Sequence, residues 1–575
     1  MKKLMLGNEA VARGAYESGV SVASAYPGTP STEITEYIGR YEEIYAEWSP
    51  NEKVAMEVAI GSAIGGARSI VSMKHVGLNV AADPLFTVAY TGINAGLVVC
   101  VADDPGMHSS QNEQDTRLIA RAAHIPVLEP SDSMECKTFI KHAMKLSEDY
   151  DTPVIVRLTT RVSHAQSIVE LEEREIFKVK PYKKDIPKYV MVPAHAKKRH
   201  LIVEERINKL AGDIKTLGFY KEELTNSPIG IITSGICYQY VKESGIHANI
   251  LKLDMVNPLP LEIILEFIRK VDQVYIVEEL EPVIEEQVRS LGIKARGKEF
   301  FGRQGEITVT KIRQVFGMEV ERTKAPMELP IRPPVLCPGC PHRSVYTILK
   351  KLNLTVIGDI GCYTLGASEP HAAMDTCVCM GASIGMLHGF EKARGREAMK
   401  STVAIIGDST FIHSGITGLI NVVYNQGVGT VIIADNATTG MTGHQHHPAT
   451  GKTLRGDITN SLDLEQLVKA IGVKNIRVVN AYDMKEVEVA LKEEIVKPEP
   501  SVIITKAPCK LLVKEDWPSY QIKKDECINC GICMKLGCPA LIKGEEHAQV
   551  NDALCAGCGL CASFCPKGAI RKGED

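Results

Sequence analysis

Two runs of cysteine near the end of the chain constrain it most. CINCGICMKLGCP starts at Cys527 and CAGCGLCASFCP starts at Cys555. Each has the form C-x2-C-x2-C followed by Cys-Pro: first Cys527, Cys530, Cys533 and Cys538, then Cys555, Cys558, Cys561 and Cys565. Two residues between cysteines let a turn of backbone present three thiolates to neighbouring corners of an iron–sulfur cube. Paired CxxC sites for structural zinc are the plain alternative. The third cysteine in each run, and the proline after the fourth, argue against zinc.

In two-cluster ferredoxins the last cysteine of each such run ligates the other cluster. The expected groups are therefore Cys527, Cys530, Cys533 and Cys565 on one 4Fe-4S cluster, and Cys555, Cys558, Cys561 and Cys538 on the other. The first run has four residues before its last cysteine, where the bacterial pattern has three. Two clusters form a wire for single electrons, so the rest of the chain must produce or consume them. That rest is long. At 575 residues the chain exceeds the ~250–300 at which single cores stop growing, so several domains are expected. A hydrophobic share of 45% is globular, and Lys+Arg 66 against Asp+Glu 70 leaves a net charge of −4, with no basic excess for nucleic acid. No apolar run approaches the ~18 residues of a membrane-spanning helix. The start, MKKLMLGNEAVARGAYESG, reads as an amphipathic helix without a signal-peptide core. These readings predict a soluble cytoplasmic protein, in which 17 cysteines favour metal ligation over disulfides.

Ahead of the tail the pattern is α/β. LVVCVADDP (Leu97–Pro105) and TPVIVRLTT (Thr152–Thr160) read as buried strands between helix-like stretches, so residues 1–165 predict a parallel sheet with helices on its faces. Residues 166–225, rich in Lys, Glu and Pro, read as a connecting arm. A second α/β unit spans 226–325, with PIGIITSG, ILKLDMV and VDQVYIVEE as strands. MELPIRPPVL (Met327–Leu336) is a proline-rich joint, 337–510 is a third α/β unit, and KEDWPSYQIKK leads to the cysteine-rich domain, 520–575.

The third unit contains a strand, Val403–Ile406, ending in Gly407-Asp408-Ser409, and a second strand, Thr430–Ala434, ending in Asp435-Asn436. This resembles the Gly-Asp-Gly…Asn signature of thiamine diphosphate enzymes, with Ser409 in place of the second glycine. Mg²⁺ wants oxygen ligands in octahedral array and keeps phosphates in its shell. Asp408 and the Asn436 amide oxygen would supply two ligands, and a backbone carbonyl near Thr438 a third. Gly407 would allow close approach of the diphosphate. The alternative is an ordinary strand-end aspartate. The loop that follows, Met441–Gly451, carries His444, His446 and His447. It reads as a lid over diphosphate or substrate, with solvated histidines as the alternative.

Thiamine chemistry also needs a carboxylic acid at N1′ of the aminopyrimidine. Many thiamine enzymes place it before a small residue three positions on and a glycine nine positions on. Glu52 has Ala55 and Gly61 at those positions. Glu57 competes from another face of the same helix, and two solvated glutamates are the alternative.

YPGTPSTEI (Tyr26–Ile34), MKHVGLNVAADP (Met73–Pro84), ADDPGMHSSQNEQDTR (Ala102–Arg117), CPGCPHR (Cys337–Arg343), DIGCYTLG (Asp359–Gly366) and the cysteine tail together resemble the indolepyruvate:ferredoxin oxidoreductase α-subunit family. The resemblance covers nearly the whole chain. It implies a pyrimidine-binding thiamine domain at 1–165, a transketolase C-terminal-like domain at 226–325, a diphosphate-binding thiamine domain at 337–510 and a two-cluster ferredoxin domain at 520–575. The thiamine domains would be three-layer α/β/α sandwiches. It also implies oxidative decarboxylation of aryl pyruvates with coenzyme A, Thr29 at the substrate carboxylate, and electrons passed to ferredoxin. Thr29 or Ser31 as a helix N-cap is the alternative there. The expected cofactors are thiamine diphosphate, Mg²⁺ and two 4Fe-4S clusters.

Related 2-oxoacid oxidoreductases place a further cluster beside thiamine with a similar order of cysteines. That raises a third cluster on Cys337, Cys340, Cys362 and Cys509, against simply buried or loop thiols. Cys377 and Cys379 are wrongly spaced for a cluster and are expected to pack in a helix. The domain carried on a separate, smaller β subunit is not evident, so a β partner in an assembly with two copies of each chain is expected. A non-oxidative thiamine enzyme and a non-catalytic electron-transfer subunit are the rivals. The tail argues against the first, and Glu52 with Asp408 and Asn436 against the second.

Overall fold

The computed structural model describes residues 1–320, 330, 333–513 and 517–573. Half of the joint Met327–Leu336 and the first three residues of the stretch leading to the tail lie outside them. Contacts divide the chain into two units, Met1–Pro326 and Met327–Asp575.

The first unit is built on two sheets. The larger has seven strands, ordered Met255–Asn257, Val127–Leu128, Val154–Thr159, Leu97–Asp103, Ser69–Lys74, Val22–Ala25 and Tyr45–Trp48. All pair in parallel except the first, which runs antiparallel to Val127–Leu128. Its central strands are buried end to end, as an apolar run without alternation requires of a sheet covered on both faces. The smaller sheet orders Ala295–Arg296, Gln273–Val277, Ile229–Ser234, Asn249–Leu253 and Tyr220–Glu223.

Two features differ from the sequence expectation. ILKLDMV is two strands: Asn249–Leu253 belongs to the smaller sheet, and after Asp254 the chain crosses to edge the larger one as Met255–Asn257. The N-terminus is not one helix. Lys2–Leu6 is a strand paired antiparallel to Gln166–Glu170, and the helix is Gly7–Glu17. Within the stretch 166–225 lies a 25-residue helix, Pro193–Leu217. Its Arg206 donates to the carbonyls of Asp151 and Ala89, both at 2.7 Å.

Arg117, in the quoted QNEQDTR, fastens the two sheets together. It is buried, pairs with Asp115 at 2.7 Å and, through Nη1, with Glu278 at 2.8 Å just beyond the strand Gln273–Val277. Arg157 pairs with Asp103 and Glu129, both at 2.6 Å. Buried charges of this kind persist only when each finds its partner.

The second unit has a five-stranded parallel sheet, ordered Thr355–Ile357, Thr402–Gly407, Gly429–Asp435, Pro500–Lys506 and Asn475–Asn480. The tail is not a loose appendage to it. Leu536 and Leu560 are buried in one apolar cluster with Val345, Tyr346, Val403 and Val487. The tail therefore packs on the face covered by the helices His342–Lys351 and Met484–Glu494. Among the described residues no helix is long and apolar enough to cross a membrane.

Candidate functional site

In the first unit the candidate residues gather at the carboxyl ends of the parallel strands, where open α/β sheets bind ligands. Glu52 opens the helix Glu52–Ile64, whose N-cap Asn51 accepts the Val54 N–H at 2.9 Å. The Glu52 side chain is buried against Gly77. A Cβ there would lie 2.6 Å from its Oε1, so only glycine lets the carboxylate sit where it does. Glu57 points to solvent and pairs with Lys53. Ala55 is buried, while Gly61 faces open space.

Thr29 is half-buried, and its carbonyl accepts the Ser109 hydroxyl at 3.1 Å. Ser31 stands at the N-cap position of Thr32–Ile38 but makes no capping bond; its hydroxyl donates to the Gly28 carbonyl. Lys74, at the end of its strand, reaches the Ser109 carbonyl at 2.8 Å, and burial pulls its amine down to about 8 against the pull of Asp104. Sequence reasoning assigned Lys74 and Ser109 no role, although both lie in quoted motifs.

In the second unit Gly407 and Ala434 are register partners on neighbouring strands, which brings Asp408 and Asn436 side by side at the strand ends. Both are buried. Asp408 Oδ1 accepts the Ser409 N–H at 2.8 Å, and its Oδ2 lies 3.2 Å from His447 Nε2. Asn436 Oδ1 accepts the Thr438 N–H at 3.3 Å, and Thr439 donates to the Ser409 hydroxyl at 2.9 Å. Burial and the neighbouring Asp408 push the Asp435 carboxyl up to about 6. The donor set is hard oxygen, which suits Mg²⁺ and phosphate.

Gly407 also answers a packing demand. A Cβ on it would meet the Tyr363 ring at 2.6 Å, so its smallness makes room for that ring. His447 is not a solvated loop histidine but buried on Asp408, whereas His444 and His446 are half-buried. His342, from CPGCPHR, is also buried facing Asp408; burial pulls its ring down to about 4 while Asp408 pulls it up.

The cysteines fall into three groups. Cys527, Cys530, Cys533 and Cys565 line one hollow. Cys561 has the thiols of Cys558, Cys555 and Cys538 as neighbours, and burial pushes its own thiol up to about 12. Gly537, at φ 65° and tight against Pro370, makes a left-handed turn just before Cys538. Cys337, Cys340, Cys362 and Cys509 form the third group: Cys340 neighbours Cys362 and Cys337, and Cys362 neighbours Cys509 and Cys337. This group adjoins the Asp408 site, because the Cys509 N–H donates to the Asn436 carbonyl at 2.9 Å. Among the described residues no three His, Cys, Asp or Glu side chains converge on a single ion. Thiolates that surround a cube stand farther apart than ligands meeting at one zinc. Cys377 and Cys379 do not pack in a helix. Both are exposed, in the loop before Ala382–Arg394. Asp359 holds the Gly381 and Ser383 N–H groups at 2.8 and 3.0 Å, which fixes the start of that helix at Ala382, beyond Cys379.

Residues 13–209 match the pyruvate flavodoxin/ferredoxin oxidoreductase thiamine diphosphate-binding family. Residues 359–505 match the C-terminal domain of thiamine pyrophosphate enzymes, and 548–571 match the 4Fe-4S binding domain. An indolepyruvate oxidoreductase subunit IorA from Pyrococcus horikoshii is 41% identical over 100% of this chain and 98% of its own. The chain belongs to the IorA family. A second member, from Archaeoglobus fulgidus, is 38% identical over 99% of this chain and 97% of its own. A solved 2-oxoglutarate:ferredoxin oxidoreductase from Magnetococcus marinus is similar at a TM-score of 0.47 and 18% identity, over 55% of this chain and 64% of its own. Membership makes the chain a thiamine diphosphate-dependent, iron–sulfur 2-oxoacid:ferredoxin oxidoreductase subunit.

Proposed function

We propose that this chain is the larger, catalytic subunit of an enzyme that oxidatively decarboxylates aryl pyruvates, indolepyruvate and its phenylpyruvate-type relatives. The acyl group goes to coenzyme A, CO₂ leaves, and the electrons pass one at a time to ferredoxin. Thiamine diphosphate, when bound, supplies the electron sink that lets a 2-oxoacid lose CO₂. Glu52 would hold a proton toward N1′ of the aminopyrimidine, and its burial against Gly77 keeps the carboxyl from water. Asp408, the Asn436 amide and a carbonyl near Thr438 would hold Mg²⁺, with His447 fixing the Asp408 carboxylate. Thr29 would meet the substrate carboxylate, beside Lys74 and Ser109. The three cysteine groups would hold three 4Fe-4S clusters, the one on Cys337, Cys340, Cys362 and Cys509 next to Asn436.

One observation carries this reading. The bond from Cys509 to Asn436 joins a four-cysteine group to the strand end of the diphosphate signature. An electron released at thiamine would therefore have a receiver beside it, which neither a lyase nor a passive electron carrier needs. We also propose a smaller β partner in an assembly with two copies of each chain, working in the reducing cytoplasm.

The test is anaerobic co-purification with the β chain, followed by iron, magnesium and thiamine analysis. Turnover is then measured on a panel of 2-oxoacids with coenzyme A and a viologen dye. Dye reduction with aryl pyruvates that requires coenzyme A is expected. Turnover with pyruvate or 2-oxoglutarate but not aryl pyruvates overturns the substrate assignment. Thiamine without iron would mean a lyase, and iron without thiamine an electron carrier.

A further inference from the structure

Arg343 is among the largest fully buried side chains of the protein, at 2% exposure. It is a guanidinium with no carboxylate: among the described residues it forms no ion pair, and its donors go to main-chain carbonyls alone. Nε and Nη2 bond the Cys337 carbonyl at 3.3 and 3.2 Å, and Nη2 also bonds that of Leu336. Nη1 bonds the carbonyls of Leu536, at 3.1 Å, and Gly537. A buried charge without a counter-charge costs several kcal/mol. Elsewhere in the chain the buried guanidiniums of Arg117 and Arg157 are matched with carboxylates.

Local helix physics makes the placement stranger. Arg343 sits in the first turn of His342–Lys351, where the helix dipole already puts positive charge and favours an anion. Among the described residues, the groups that act most on the Arg343 charge are thiols. They come from two sets: Cys340 and Cys337 on one side, Cys538 and Cys558 on the other. Its hydrogen bonds span the same two sets, from the Cys337 carbonyl to the Leu536–Gly537 turn just before Cys538.

We propose that Arg343 is the shared counter-charge of two neighbouring iron–sulfur clusters, one on Cys337, Cys340, Cys362 and Cys509, the other on Cys538, Cys555, Cys558 and Cys561. The inference rests on the reading that both groups hold clusters. A thiolate-ligated cube carries net negative charge, and each electron added makes it more negative. A fixed cation between two cubes therefore favours the reduced form of both, raising both potentials together. The transfer it serves is one electron leaving the first cluster, which is oxidised, and entering the second, which is reduced, with no proton moved. Because one charge acts on both cubes, it would shift both potentials without opening a gap between them. The carbonyl bonds fix the guanidinium between the Leu336–Cys337 backbone and the Leu536–Gly537 turn, and so bind the tail to the thiamine domain.

The test uses the full chain with its β partner, prepared anaerobically as wild type, Arg343→Lys and Arg343→Gln. Iron per chain is measured, and each cluster is titrated by electron paramagnetic resonance. Arg343→Gln is expected to shift the reduction equilibrium of both clusters roughly tenfold toward the oxidised form, ~59 mV for a one-electron couple. Arg343→Lys should stay near wild type. Full iron with both potentials unmoved in Arg343→Gln overturns the proposal, and so does a shift confined to one cluster. If Arg343→Gln fails to hold iron, Arg343→Lys decides. Iron retained by lysine supports a role for the charge, whereas equal loss in both variants leaves only the carbonyl contacts and overturns it. Wild-type protein with iron in the tail but none on the Cys337 group refutes the cluster reading itself, a result distinguishable before any variant is made.

Discussion

The Cys509 N–H donates to the Asn436 carbonyl at 2.9 Å, tying the last thiol of one cysteine group to the strand end expected to hold Mg²⁺. The two sites share backbone but not side chains, so they should be separable. Cys362→Ala removes a thiol of that group whose side chain does not belong to the oxygen set. The variant is expected to lose one cluster's worth of iron while binding thiamine diphosphate within severalfold of wild type. Iron analysis with a thiamine-binding titration decides it. Unchanged iron would mean that Cys362 is a loop thiol, and loss of thiamine binding would mean that the two sites fold as one.

Glu52 and Glu57 lie on one helix with opposite fates, the first buried against Gly77 and the second exposed beside Lys53. A group placed to move a proton in the transition state contributes about 10²–10⁴-fold. Glu52→Gln, close to the same shape, is expected to lower turnover by that order with iron content and thiamine content kept. Glu57→Gln should stay within twofold of wild type. Comparable losses in the two variants would remove the basis for the assignment.

What the sequence revealed, and what it hid, follows from range. Leu97–Asp103, Thr402–Gly407 and Gly429–Asp435 read as buried parallel strands because their apolar runs are continuous and local. The tail cysteines read as clusters because spacing alone places three thiols on a turn. The strand Lys2–Leu6 was invisible because its partner, Gln166–Glu170, is far along the chain. Met255–Asn257 was missed because nothing local marks a strand that changes sheets. His447, His342 and Arg343 were in plain view as letters. Their meaning lies in partners such as Asp408 and the Leu536–Gly537 turn, which only the fold brings near.

His447 Nε2 lies 3.2 Å from Asp408 Oδ2, and both side chains are buried. Partners of this kind orient a ligating carboxylate, and removing one costs about 10–100-fold in metal affinity or activity. His447→Ala is expected to raise the Mg²⁺ concentration needed for half-maximal activity by that order, leaving the iron content intact. His444→Ala, at a half-buried loop position, should change it little. Equal Mg²⁺ dependence in the wild type and His447→Ala would show that the pair is packing only.

Glu279 carries the clearest pH signature of the first unit. It is buried, and burial pushes its carboxyl up to about 7 from an ordinary 4.5, with Arg157 and the Ile307 N–H pulling it back. Between those values the folded chain binds more protons than the unfolded one, so stability falls as pH rises from about 4.5 to about 7 and is flat above. Glu279→Gln cannot ionise and can still accept the Ile307 N–H, which lies at 3.3 Å in the wild type. The variant is therefore expected to match wild type at pH 4 and to exceed it at pH 8 by about 3 kcal/mol, since each tenfold change in proton affinity is worth ~1.4 kcal/mol. Denaturant unfolding of the full chain at the two pH values reads the difference directly. A gain of the same size at both would assign the effect to packing, because only a titrating group makes the benefit appear above neutrality and vanish in acid.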